Sequence, residues 1–190
     1  SEGSACTDCI VGKYNKYKGV ASAAECEDCS KGTFSDVSAL EDPANCTHCP
    51  TGKYGFKEGA DGESKGCEVC QKGRYNDQIG QLICTFCVQG KYGDETSRNA
   101  AAQCKPCPTG TYSSATGLTA EGQCNACAIG KYNNETGRTD SNECKDCSTG
   151  KYGDEAKRTS ADQCKPCEVG HYCAGGAVKS ACGQGKYGDQ

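Results

Sequence analysis

Cysteine spacing constrains this chain more than any other feature. Nine C-x-x-C pairs run along it: Cys6/Cys9, Cys26/Cys29, Cys46/Cys49, Cys67/Cys70, Cys84/Cys87, Cys104/Cys107, Cys124/Cys127, Cys144/Cys147 and Cys164/Cys167. Successive pairs begin 20, 20, 21, 17, 20, 20, 20 and 20 residues apart. Each pair is followed by Gly-x-aromatic, from Gly12-Lys13-Tyr14 to Gly170-His171-Tyr172, and a tenth such element, Gly185-Lys186-Tyr187, follows the single Cys182. A short period sustained over a whole chain specifies a quasi-one-dimensional array in which units lean on their neighbours. The expectation is one continuous array of cysteine-rich repeats over residues 1–190. Its last unit, 168–190, is irregular and cut within a repeat.

The array has to do without a conventional core. Cysteine supplies 20 of the 190 residues, whereas Leu, Ile, Val and Phe together number 17, and Met and Trp are absent. Buried apolar surface contributes roughly 25 cal/mol per Å², against about 1–2 kcal/mol per residue for ordering the backbone. So few large aliphatics cannot hold a chain of this length, and cross-links must replace them. That excludes most enzyme folds, and no enzymatic activity is expected. Twenty-one Lys and Arg against twenty-five Asp and Glu give a net charge of −4, evenly spread. No basic stripe offers itself to nucleic acid, and no apolar run approaches the roughly 20 residues that span a bilayer. Neither partner is expected of this segment.

Within a unit, Gly-Lys-Tyr suits an extended segment, with alternate side chains on opposite faces. The aromatic then faces the cysteines and the Lys faces solvent. Ten slots form this inward ladder: Tyr14, Phe34, Tyr54, Tyr75, Tyr92, Tyr112, Tyr132, Tyr152, Tyr172 and Tyr187. The stretches between, such as Asp94-Glu95-Thr96-Ser97-Arg98, are turn-forming, and no helical apolar period appears. The predicted fold class is a small disulfide-rich repeat protein. It is an elongated rod of about ten units, each about 20 residues, with short β-hairpins and loops, little helix and no large hydrophobic core.

Two C-x-x-C pairs spaced in this way also fit a four-thiolate zinc site. Nine pairs leave one over, however, and every unit carries the same Gly-x-aromatic tail instead of alternating as half-sites. Disulfides are therefore expected, with no metal. Calcium between the acidic turns Asp94-Glu95 and Asp154-Glu155 lacks a clustered set of oxygens; weak local pairing with Arg98 and Arg158 is favoured. Two connectivities suit the spacing. In the chained one the second cysteine of each pair joins the first of the next: Cys9–Cys26, Cys29–Cys46, Cys49–Cys67, Cys70–Cys84, Cys87–Cys104, Cys107–Cys124, Cys127–Cys144 and Cys147–Cys164, with Cys167–Cys173 last. In the interlaced one, Cys6–Cys26 and Cys9–Cys29 cross and units work in twos. The single-unit period favours chaining, which closes loops of about 18 residues worth roughly 3 kcal/mol each in the chain-entropy model.

Chaining leaves Cys6 and Cys182 without a partner in the chain. Read in register, Cys6 seeks a cysteine further back and Cys182 one further on. The expectation is a segment of a longer array, or a protomer that joins its like head to tail.

The repeated C-x-x-C-x-x-G-x-[YF] motif resembles the ephrin-receptor-like and growth-factor-receptor-like cysteine-rich repeats, over essentially all of residues 1–190. The loop from a cysteine through x-x-Gly-Lys-Tyr to the next cysteine is also similar to the first loop of tumour-necrosis-factor-receptor modules. The resemblance implies disulfide-closed loops stacked into rods, in support of the chained model. Long uninterrupted arrays of this kind occur in surface proteins of algae and other protists, including flagellar hairs (mastigonemes). No lectin-like, fibronectin, kinase or transmembrane part accompanies this array, so a receptor's ligand-binding role does not carry over.

Other candidate residues are few. His48 and His171 occupy unrelated unit positions and read as surface substitutions. Asn134-Glu135-Thr136 is the preferred N-glycosylation sequon, and Asn45-Cys46-Thr47 the poorer one because Cys46 is committed to a bridge. The short unit Cys70–Cys84, with Leu82 and Ile83, marks a bend, a contact between protomers or a tolerated deletion. The functional expectation is an extracellular or cell-surface structural protein that forms or coats a filament or appendage. Its partners would be copies of itself or other extracellular filament proteins, with an N-linked glycan and no cofactor. The alternative is the ligand-binding or adhesive ectodomain array of a surface receptor.

Overall fold

A computed structural model describes residues 6–18 and 21–186. Tyr187 of the aromatic series lies outside the described residues. Regular structure among the described residues consists of nine two-stranded antiparallel sheets, six three-residue 3₁₀ turns and one four-residue α-helix, Glu63–Gly66. Eight of the nine sheets are built alike; in the ninth, His171–Tyr172 pairs with Ser180–Ala181, which follow Lys179 and not a cysteine. In the eight, the strand at Gly-x-aromatic pairs with the two residues enclosed by the following C-x-x-C, as Lys13↔Asp28 and Tyr14↔Glu27, or Lys131↔Asp146 and Tyr132↔Lys145. Two or three residues per strand are too few to stand alone, so each hairpin depends on its cross-link.

Nine disulfides supply the cross-links, and they are chained. Loops 1 to 8 are closed by Cys9–Cys26, Cys29–Cys46, Cys49–Cys67, Cys70–Cys84, Cys87–Cys104, Cys107–Cys124, Cys127–Cys144 and Cys147–Cys164, and loop 9 by Cys167–Cys173. Cα–Cα distances of 5.6 to 5.9 Å lie within the range disulfide geometry allows. Cys6 and Cys182 are free.

Just before the closing cysteine of loops 1, 2, 5, 6, 7 and 8 the chain makes a 3₁₀ turn, for example Ser141–Glu143. Asp140 caps that turn by accepting from the Asn142 N–H at 2.8 Å. Glu143 reaches back from the third position to accept from the Thr139 and Asp140 N–H groups at 2.8 and 3.1 Å. Gln103, Gln123 and Gln163 do the same in their loops. The reach-back satisfies turn donors that have no partner within the turn.

By compactness the chain falls into two units, Ser1–Phe86 with Glu95–Gln103, and Cys87–Asp94 with Cys104–Gln190. Inside the first unit, the Gly12 and Gly52 N–H groups donate to the Ser35 and Asn76 carbonyls of the next loop, at 2.9 and 2.7 Å. Ser35 and Asn76 donate in turn to Ala60 and Arg98, at 3.0 and 2.9 Å. The second unit repeats both steps, with Gly90 and Gly110 donating to Ser113 and Asn133, and those donating to Arg138 and Arg158. Backbone polar groups of consecutive loops thus satisfy one another, as buried amides require.

Apolar burial follows the same succession. Tyr14 clusters with Cys29, Cys46 and Leu40; Phe34 with Cys49, Cys67 and Ala60; Tyr92 with Cys107, Cys124 and Leu118. Each of these three aromatics therefore covers the disulfide of the loop that follows it, not the disulfide of its own loop.

Candidate functional site

The feature most often repeated in the molecule is the interface between one loop and the next two. The Gly that precedes each strand has a positive φ in all ten occurrences, a conformation that costs an L side chain about 1–2 kcal/mol. Space excludes a side chain as well. A Cβ on Gly52 would lie 2.6 Å from the Ser97 carbonyl oxygen, two loops on. In the second unit, Gly90 and Gly110 stand in the same way against Gly137 and Lys157, where a Cβ would overlap the facing carbonyl oxygen. At Gly150, Gly170 and Gly185 nothing among the described residues lies within 4 Å of the Cβ position.

The facing turn has its own left-handed residue, either Gly or Ala39, Ser97 or Lys157. Its N–H returns to the first cysteine of the loop before: Gly59 to the Cys29 carbonyl and Ser97 to that of Cys70 in the first unit, Gly137 to Cys107 and Lys157 to Cys127 in the second, at 2.8 to 3.0 Å.

The residue after this turn is a wedge whose identity varies, Leu40, Ala60, Arg98, Leu118, Arg138 or Arg158, except in loop 4, where Gln81 is exposed. Leu40 and Leu118 pack beside an aromatic and a disulfide. Arg98 and Arg158 are buried. Their Nη1 groups donate to the Gln103 and Gln163 carbonyls, and Arg158 Nη2 lies 2.5 Å from Asp154. The acidic turns do pair with these arginines, as the spacing suggests, and the guanidinium groups they meet are buried.

Residues after the aromatic couple the loops from the other side. Asn76 Nδ2 donates to the Lys53 carbonyl at 2.5 Å, and Asn133 Nδ2 to the Thr111 carbonyl at 3.1 Å, each one loop back. Asn15 holds this position in loop 1; its Nδ2 is buried without a partner among the described residues.

Carboxylates tune the aromatic ladder. Tyr14 donates to Glu27 at 2.5 Å and Tyr54 to Glu68 at 2.8 Å, and these bonds raise both phenols above their ordinary range. Burial raises Tyr92. Tyr14, Phe34, Tyr92 and Tyr152 are buried, and Tyr54, Tyr75, Tyr112 and Tyr132 are half-buried. Tyr172 is 56% exposed. The bridge that would cover it belongs to Cys182, which is free.

His48 is exposed and His171 half-exposed. Asn134 is exposed, accepting from Lys145 Nζ at 3.2 Å. Asn45 is exposed too, but it ends the turn Pro43–Asn45, and Cys46 beside it is buried in its bridge. Among the described residues no group of three or more His, Cys, Asp or Glu is placed to hold a metal ion. No helix among them is long and apolar enough to cross a membrane. The short loop 4 exposes Ile79, Leu82 and Ile83, with Phe86 just beyond. A shallow groove of about 280 Å³ beside it is lined by Tyr54, Gln71, Arg74, Ile83 and Cys84.

These features define a class: a tandem array of cysteine-rich hairpin loops with chained disulfides, of the extracellular structural or ectodomain kind, since such bridges persist in oxidising compartments. No family model matches the chain, and no curated protein matches it significantly.

Proposed function

We propose that this chain is a structural extracellular protein that forms or coats a filament or surface appendage. Its partners are copies of itself or other extracellular filament proteins, and it carries out no chemical reaction. The supporting observation is the uniform loop-to-loop interface. The same backbone bonds recur in most loops, and the glycine contacts and aromatic-on-disulfide packing in several, in the manner of a scaffold that propagates one contact. The motif's likeness to ephrin-receptor-like repeats, and to the long arrays of mastigoneme-type filaments, supports the same reading. Asn134 carries the N-linked glycan in this proposal.

Negative-stain electron microscopy of native material tests it. Filaments with an axial repeat commensurate with ten loops are expected; isolated particles at all concentrations would refute it. A second reading, a binding or adhesive ectodomain array, is favoured by loop 4. There the exposed residues depart from the charged pattern of the other loops, and Ile83 is 72% exposed.

A further inference from the structure

The hydrogen-bond register identifies Cys182 as more than a leftover thiol. In loops 1, 2, 3, 5, 6, 7 and 8 the N–H of the cysteine that opens the following loop donates to the Gly of the loop just closed. Cys29 donates to Gly12 at 2.9 Å, Cys107 to Gly90 at 2.8 Å and Cys167 to Gly150 at 2.8 Å. Cys182 donates to Gly170 at 2.9 Å. Its neighbours Ser180–Ala181 pair with His171–Tyr172 just as Glu27–Asp28 pair with Lys13–Tyr14. Lys179 therefore stands where a closing cysteine stands elsewhere, and Cys182 is the opening cysteine of a tenth loop. That loop has begun to fold: Gly185 has φ +75°. Lys186 N–H donates to Gly183 at 3.1 Å, as Lys13 does to Ile10 at 3.1 Å in loop 1.

We infer that the two ends of this 190-residue chain are complementary, so that a second copy completes the tenth loop, joined head to tail through a Cys182–Cys6 disulfide. This rests on the assembly reading above and names its partner. Cys6-Thr7-Asp8-Cys9 is a closing pair, and Cys6 is exposed. Three features match across the joint. Asp8 holds the position of Asp28 and Asp146, and Lys186 that of Lys13 and Lys131, which form ion pairs at 2.8 and 2.9 Å. Asn15 Nδ2, buried and unpartnered, holds the position from which Asn76 and Asn133 donate one loop back to the carbonyl between Gly and the aromatic. In the incoming copy that carbonyl is the one on Lys186. Tyr172, 56% exposed, gains the following bridge that covers Tyr14 and Tyr92 in their clusters.

The bond forms by thiol–disulfide exchange with a small-molecule disulfide such as oxidised glutathione. The Cys182 thiolate attacks it, giving a mixed disulfide and one glutathione thiolate. Cys6 of the second copy then attacks the Cys182 sulfur and releases a second glutathione thiolate. Two protein thiols lose two protons and two electrons, and one disulfide becomes two thiols.

The test uses two variants of the 190-residue chain, Cys6→Ser and Cys182→Ser, in a glutathione redox buffer. Intact mass is read under denaturing, non-reducing conditions. Each variant alone is expected to remain monomeric. Their mixture gives dimers near twice 19.8 kDa, held by a Cys182–Cys6 peptide, and the unmodified chain gives higher multiples. Placing Asp8→Lys on the copy that supplies Cys6 lowers the dimer yield several-fold, and Lys186→Asp on its partner restores it. Dimers from either variant alone, a monomer of the unmodified chain without free thiols, or no mixed dimer would overturn the inference. Filaments without the mixed disulfide would leave the assembly reading intact through lateral contacts. Mixed dimers without filaments in native material would leave the joint intact and remove the assembly reading.

Discussion

Gly52→Ala and Gly150→Ala separate two effects that coincide in most repeats. The two glycines have nearly identical backbone angles, φ +79° and +81°. Alanine at either site incurs the same left-handed penalty of about 1–2 kcal/mol, offset in the same degree by its lower unfolded-state entropy. Their surroundings differ. At Gly52 the new methyl would lie 2.6 Å from the Ser97 carbonyl oxygen and 3.2 Å from its carbon, whereas at Gly150 nothing among the described residues lies within 4 Å. Backbone held by the Ser97–Cys70 hydrogen bond (2.8 Å) cannot withdraw freely, and overpacking of this kind costs about 1–3 kcal/mol. Gly52→Ala is thus expected to lose about 2–5 kcal/mol, and Gly150→Ala only about 1–2 kcal/mol. Urea unfolding with disulfides intact, followed by tyrosine fluorescence in this Trp-free chain, reads the difference. A non-reducing peptide map confirms that each variant keeps its bridges. Equal losses at the two sites would refute the claim that contact two loops on, and not backbone angle alone, demands glycine.

Arg158→Leu is expected to be tolerated better than Arg158→Ala by about 1–2 kcal/mol, since Leu fills the same wedge at Leu40 and Leu118 while Ala leaves a cavity; thermal unfolding of both variants decides, and a more stable Ala variant would contradict the slot equivalence. Glu143 is held at about 2, below its ordinary 4.5, chiefly by the Thr139 N–H and then by Arg138. Because the folded value is the lower one, its contribution is present above about pH 4.5 and is lost as the pH falls toward 2. Glu143→Gln, a residue that holds the same turn in three other loops, should flatten stability against pH in that window, and an unchanged acid slope would count against it. Secretion from a eukaryotic host should add one N-glycan at Asn134 and none at Asn45, read as a single mass step on glycosidase treatment that Asn134→Gln abolishes. A glycan at Asn45 would show that the folded turn does not protect that sequon.

The cysteine period and the Gly-x-aromatic tail were sufficient to read the hairpins, because a closed loop of about 18 residues around one turn leaves little choice of register. Spacing left two connectivities open, and the structure carries the chained one. What spacing concealed is which neighbour each side chain serves. Tyr14 looks local to Cys9 and Cys26, yet it packs on Cys29 and Cys46, a relation that no single unit contains. The wedge escaped notice because Leu, Ala and Arg share no composition; what they share is a place after a left-handed turn. The 3₁₀ turns did have a signal, Glu or Gln immediately before Cys26, Cys104, Cys124, Cys144 and Cys164. Three residues are too short for a helical period to reveal them. The burial of Arg98 and Arg158 had none, since the same spacing also describes an exposed pair.

A repeat that covers its neighbour's bridge instead of its own has a direction. Tyr14, Phe34 and Tyr92 each point their contact toward the following loop, and at Gly52, Gly90 and Gly110 the turn two loops on closes over the glycine. The donor face and the acceptor face of a loop are therefore different surfaces. Two copies meeting through equivalent faces would bring Cys182 against Cys182, or Cys6 against Cys6, and would leave both the Tyr172 ring and the Asn15 amide unmet. Only a heterologous contact satisfies both, and a heterologous contact closes into a ring or continues as a filament. The chained disulfides carry the same polarity, since every second cysteine of a pair looks forward and every first looks back. Covalent order and packing order run in one direction, so whatever extends the array extends it in register.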